Sequence, residues 1–337
     1  MIAPQVDINE NDILQTSPEL LNTLLKDHTL STPEKQVNIF WATDNYAHRG
    51  KGYQYNDQIT IEAITGENGN VIVPRALKSR ATQQKRSREM AEVFTPSWIC
   101  NSMNNLIDDA WFGRKGIFNT EVNNPDGTNT WIVNPEPITF PEGKTWHDYV
   151  KDTRLEITCG EAPFLVSRYD TVTGQPIPID SRIGLLDRKL RIVSENTTTT
   201  SEWLTAAQAA FQSVYGYEWQ GDNLLLAREA LLFTFIDYFH AKFGKEPQLK
   251  SLLYIAYIIS WNIWQMDGLK GVIPGSCMEH QAVQNTLFDP TDTITYCSQC
   301  EGCKSGDIRK HNGRYALIKD WGASKAKQKI RFIDLIK

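Results

Sequence analysis

The chain has 337 residues, 41% apolar and 22% charged, and its 35 basic side chains against 40 acidic ones leave a net charge of −5. That length suits about two ordinary domains, and 10% aromatic residues is too much apolar surface for a disordered chain to leave in water. The longest apolar stretch, 252–266, is broken by Ser260, Asn262 and Gln265 and falls short of the ~20 residues a bilayer span needs, so no membrane association is expected.

Met1 to Glu10 lacks the basic-then-apolar order of a signal peptide, which points to the cytoplasm. There the six cysteines are expected as thiols or metal ligands, not disulfides. Ser17-Pro18-Glu19 reads as a helix start, followed by Leu20, Leu21, Leu24 and Leu25 at helical spacing. Residues 58–62 and 71–73 flank Gly66-Glu67-Asn68-Gly69 and read as a β-hairpin. Arg75 to Arg88 holds six Lys or Arg and no acid, and is taken as the seam between a small module, 1–88, and a main domain, 89–337.

Beyond the seam, Pro96 to Ala110 reads as a helix and 119–145 as loop. Leu155 to Cys159 reads as a short strand running into small residues. Leu224 to Phe243 and Leu249 to about Met266 read as helices, 277–321 as a polar insert, and Lys329 to Ile336 as a strand. Strands separated by helices predict an α/β fold with parallel strands.

Three segments carry candidate chemistry. In Glu156-Ile-Thr-Cys159-Gly160-Glu161-Ala162-Pro163-Phe164, an acid ends a strand and small residues let backbone approach a ligand, with a helix N-terminus expected behind them. In Tyr215-Gly216-Tyr217-Glu218-Trp219, an acid closes the next strand, where a carboxylate can accept from two vicinal ribose hydroxyls. Trp219 is placed to cover an adenine face, although a packed edge tryptophan explains it equally well. Ala91-Glu92-Val93-Phe94-Thr95-Pro96 marks a helix beginning near Pro96.

In this order the three segments resemble the amino-type DNA methyltransferases, which use S-adenosylmethionine (SAM) to modify adenine N6. The wider stretch from Trp41 to Gly271, including Ser181 to Arg188 and Trp261 to Leu269, is similar to methylation subunits associated with restriction endonucleases. The resemblance implies a Rossmann-like SAM-dependent methyltransferase fold and double-stranded DNA as substrate, in a restriction–modification or phage-defence setting. It implies that Glu156, Cys159, Gly160 and Phe164 hold the methionine end of the cofactor, that Phe94, Thr95 and Pro96 cover it, and that Glu218 takes the ribose. The acid facing the cofactor's adenine should end the third strand, as Asp334 or its competitor Asp267.

Two departures stand out. Ala162 replaces the family's second glycine and is expected to narrow the cofactor's room. The catalytic Asp/Asn-Pro-Pro-Tyr/Phe loop is missing: Asn124-Pro125-Asp126, Asn134-Pro135-Glu136 and Asp289-Pro290-Thr291 all lack the second proline and the aromatic. The chain therefore reads as the cofactor-binding part of a longer or split enzyme, completed by a chain carrying the loop or a restriction subunit. The rival is a non-catalytic scaffold that binds DNA or a partner.

Cys297, Cys300 and Cys303 place three thiols on one tight turn, and Cys277 would complete a tetrahedral zinc site. His280 and His311 are substitutes should Cys277 lie elsewhere; an iron–sulfur cluster or plain thiols are the alternatives. Residues 304–331 carry nine cations against Asp307 and Asp320, a stretch that either tracks DNA phosphates or is a solvated surface. Cys159 has no histidine motif beside it and reads as a small packed residue, as does Cys100.

Overall fold

The computed structural model describes residues 6–90, 92–125, 127, 129–278, 280–285 and 293–336, without the side chains of 280–285 and 293–298. In chain order the elements are α1 (Glu10–Thr16), α2 (Pro18–Leu25), α3 (Ile61–Ile64), α4 (Arg80–Met90), α5 (Ser97–Phe112), β1 (Asn119–Asn123), β2 (Asn129–Val133), α6 (Trp146–Lys151) and β3 (Arg154–Glu156). There follow α7 (Leu185–Asn196), α8 (Thr200–Gln212), β4 (Val214–Glu218), α9 (Gly221–Phe243), α10 (Leu249–Asn262) and β5 (Ile263–Gln265). The last are β6 (His280–Asn285), β7 (Thr293–Ser298), α11 (Glu301–Ser305), β8 (Leu317–Lys319) and β9 (Lys329–Arg331).

The architecture is mixed α/β around a small parallel sheet of three strands, ordered β3-β4-β5 and flanked by helices. The register pairs Glu156 with Gly216 and Glu218 with Gln265, so the strands' C-terminal ends step along one edge. A single apolar cluster runs from Ile8 and the α2 leucines through α7, α8, α9 and α10 to Ile263. Arg228 of α9 stitches the two ends together, donating to the carbonyls of Ile263 (2.8 Å), Ser260 (3.1 Å) and Lys26 (3.0 Å) and also to that of Leu24. The sheet's other face carries Tyr217 and Trp264, packed with Met266, Ala316 and Ile318 under the antiparallel β8–β9 hairpin.

Helix ends follow local chemistry. Pro18 opens α2, Thr199 and Glu202 form a capping box on α8, and Gly113 and Gly244 close α5 and α9 in the left-handed conformation. Among the described residues, no helix is long and apolar enough to cross a membrane.

The structure differs from the sequence reading in four elements. No hairpin forms over 58–73: Thr60 caps the turn Ile61–Ile64, and Val71 and Ile72 are both buried, whereas a strand would turn them to opposite faces. Residues 119–145 contain the antiparallel pair β1–β2. The predicted helix through Met266 stops at Asn262, whose side chain donates to the carbonyls of Phe211 (3.0 Å) and Val214 (2.9 Å), and the chain passes directly into β5. The C-terminal strand covers only Lys329–Arg331 and pairs with β8, outside the parallel sheet.

Candidate functional site

The loop after β3 turns sharply, with Thr158 (φ 47°), Gly160 (φ 54°) and Ala162 (φ 60°) all in the left-handed region. For a threonine and an alanine this conformation costs about 1–2 kcal/mol each, so the surroundings must fix it. Two buried carboxylates do so. Glu156 accepts from the N–H groups of Phe164 (3.3 Å) and Leu165 (3.1 Å), and Glu218 from those of Gly160 (2.9 Å) and Gln220 (3.2 Å). No long helix stands behind this loop; residues 157–184 are turns and a short 3₁₀ segment, and the next helix is α7. The acids thus perform the capping that a helix N-terminus was expected to provide.

Glu156, Cys159, Gly160, Phe164, Glu218, Trp219, Phe94 and Thr95 all line one cleft of about 790 Å³. The Phe94 ring closes over the loop, 3.5 Å from where a Cβ on Gly160 would stand. Trp219 is fixed by its indole N–H on the carbonyl of Ala42 (3.1 Å). Exposed Val93 and Ile157 form an apolar rim. Burial pushes the Glu156 carboxyl up to about 8 and raises that of Glu218, while burial and the nearby Glu156 raise the Cys159 thiol. Cys159 is therefore a packed thiol rather than a nucleophile.

Glu92, Gln220 and Asn223, given no role from the sequence, also line the cleft, and one Glu92 carboxylate oxygen is buried without a partner. Their organiser is Arg86, the one buried residue of α4. It reaches Glu92 (2.6 Å), Asp222 (2.8 Å), Gln220 (3.2 Å) and Asn223 (3.3 Å), and Tyr46 donates to Asp222 (2.8 Å). Burial alone would raise Asp222, but Arg86 and Lys78 outweigh it and hold that carboxyl down at about 2. The signal in sequence was a lone arginine in the basic stretch, indistinguishable there from its exposed neighbours.

Three expected residues lie outside the cleft. Pro96 caps α5. Asp334 is exposed on the 3₁₀ turn after β9 and paired with Arg331 at 2.8 Å, because its segment never joins the parallel sheet. Asp267 does follow the third parallel strand, but its carboxylate caps its own turn at Leu269 and Lys270 and lines a neighbouring cavity of about 180 Å³. Ala162 is fully buried in the main apolar cluster, so its methyl group does not narrow the cleft.

The cavity beside Asp267 is also lined by Cys277, Cys300 and Cys303. These three thiols and His311 bring one donor atom each within 4.8 Å of one another, a set able to hold a metal ion such as zinc. Among the described residues the fourth donor is His311; the side chain of Cys297 lies outside them. Burial works against a Cys300 thiolate, but N–H bonds from Asn312 and Cys303 help bring its thiol down to about 6.

The two basic stretches differ. Arg75, Arg80, Gln83, Gln84, Ser87 and Arg88 line a shallow groove that meets the cleft at Arg88. In 304–331, by contrast, Lys310 pairs with Glu301, Arg331 with Asp334, and Lys319 and Lys329 lie over aromatic rings. A separate cavity of about 390 Å³ includes Arg182, Arg191 and Lys242, but these already engage Asp237, Glu195 and the Ser194 carbonyl. No protein-family model matches the chain, and neither a curated protein nor a solved structure matches it.

Proposed function

We propose that the chain is the SAM-binding part of a DNA adenine-N6 methyltransferase with a Rossmann-like fold. One observation carries this reading: Glu156 and Glu218 close adjacent parallel strands and face a single cleft, whose loop N–H groups they already occupy. A dinucleotide or nucleoside phosphate needs those N–H groups free. A cleft walled by carboxylates instead suits a ligand that brings cations and hydroxyl donors. The unpartnered oxygen of Glu92 is an acceptor of the same kind. A volume of about 790 Å³ is within the range for small-molecule sites.

SAM fits this description through its ammonium, its sulfonium and its two ribose hydroxyls, and when bound it would supply an electrophilic methyl group. Glu218 would accept from the ribose, Trp219 and the Val93–Ile157 rim would bear on the adenine, and Phe94 would exclude water over Gly160. The groove of Arg75, Arg80 and Arg88 at the cleft mouth supports nucleic acid as the second substrate. Presentation of an extruded adenine needs the loop this sequence lacks, so that step belongs to a partner segment. The same absence favours the rival reading, a scaffold that keeps the fold without the chemistry.

Isothermal titration with SAM separates the two. The proposal expects saturable one-to-one binding; no heat and no thermal shift at millimolar SAM would leave only the scaffold.

A further inference from the structure

We propose that Cys277, Cys300, Cys303 and His311 hold one structural zinc ion, and that this ion fixes segment 300–316 to the loop leaving β5. The distances to His311 are those of a metal sphere, and all four donor atoms lie within 4.8 Å of one another. The three sulfurs stand 3.6, 3.7 and 3.6 Å from His311 Nδ1. Tetrahedral zinc with Zn–S of about 2.3 Å and Zn–N of about 2.0–2.1 Å requires S···N separations of about 3.6 Å. Three thiolates and an imidazole are soft to borderline donors that select zinc over magnesium or calcium. Four protein ligands leave no open position, so the role is structural.

The supporting shell is in place. The Asn312 N–H donates to Cys300 Sγ at 3.2 Å, and the His311 N–H to the Tyr315 hydroxyl at 2.9 Å. Two glycines are closely packed here: a Cβ on Gly302 of α11 would lie 2.6 Å from the His311 backbone N, and one on Gly313 would lie 2.6 Å from Ser276 Oγ and 3.1 Å from the Cys277 backbone N. Apolar burial cannot do this work. Among the described residues of 300–316, only Cys300, Gly302, His311 and Ala316 are buried, and of these only Ala316 joins an apolar cluster. A segment without a core needs a covalent or metal clasp to hold one conformation.

The ion would be measured on untagged protein by elemental analysis, with a tetrahedral thiolate spectrum after cobalt exchange as the second readout. One zinc per chain is expected. Cys303→Ser and His311→Ala should each lower affinity at least about tenfold, His311→Cys should retain the ion, and Cys159→Ser and Cys297→Ser should leave it untouched. Chelation should speed amide exchange over 300–316 while β4 and α9 stay protected. A chain that takes up no zinc after refolding with the metal, acid-labile sulfide in place of zinc, or an ion lost in Cys297→Ser but kept in His311→Ala would each overturn the assignment. The wild-type metal count and cobalt spectrum decide it even where a variant does not fold.

Discussion

The cleft and the metal cluster lie next to each other at the C-terminal edge of one sheet, yet they are held by opposite means. Around the cleft, the backbone is fixed by buried carboxylates that accept from loop N–H groups, and behind it stands a continuous apolar core. Around Cys300 the described residues bury almost nothing apolar, and four donor atoms converge instead. The lesson is that a site can be preorganised either by packing with internal hydrogen bonds or by a ligand sphere. The two respond to different perturbations, so mutation, chelation and pH should tell them apart.

The largest effect is expected at Arg86. Replacing it by methionine leaves Glu92 buried without its cation and Asp222 with only Lys78, at 3.8 Å, a change that typically costs about 3–5 kcal/mol. Urea unfolding should show the loss across the cleft region, with zinc content unchanged. A loss below about 1 kcal/mol would mean that Arg86 is an ornament of α4 and that packing alone holds the floor of the cleft.

A smaller effect is expected at Glu218. Hydrogen bonds to charged groups contribute about 1.5–3 kcal/mol, so Glu218→Ala should weaken SAM binding about tenfold to a hundredfold. Glu195→Ala, in the separate cavity, should leave binding alone. Equal binding by Glu218→Ala would remove the ribose role even if the cleft still holds the cofactor.

How much of this was legible in the sequence differs between the two regions for a physical reason. The cleft residues sit in short segments where strand, turn and acid follow one another, so Glu156, Gly160 and Glu218 could be named from order and residue type, whereas Phe94 entered only through the resemblance. The third strand could not. β5 continues α10 without a break, and its side chains, buried in all three positions, read equally well as helix. That ambiguity moved the third acid to Asp334, on a segment the β8 pairing takes elsewhere. In the clasp, Cys300 and Cys303 were legible from their spacing. His311 was visible only as a substitute, because the turn through Gly302 that brings it back is a matter of close packing rather than pattern. Arg86 illustrates the remaining limit: burial of a charge depends on partners such as Asp222, 136 residues away in sequence, and leaves no local trace.

The smallest effect, and the one that joins stability to ligand binding, concerns protons. Glu156 is pushed by burial up to about 8, and so is Glu10, which packs in α1 near Glu229 of α9, with the carboxylate oxygens of both residues unpartnered. Each is raised above its ordinary value of 4.5. The folded state therefore keeps a proton that the unfolded chain has released. Their contribution to stability is complete below pH 4.5 and is lost as pH rises through about 8. Glu10→Gln and Glu156→Gln should each flatten that decline. Only Glu156 faces the cleft, however, and a cationic ligand beside it favours the carboxylate. SAM binding near neutral pH should then release a proton, and affinity should rise with pH by at most about tenfold per unit until Glu156 is ionised. Titrations in buffers of different ionisation enthalpy count that proton directly. Glu156→Gln should abolish its release and Glu10→Gln should not; an affinity that stays flat while stability declines would separate Glu156 from the ligand altogether.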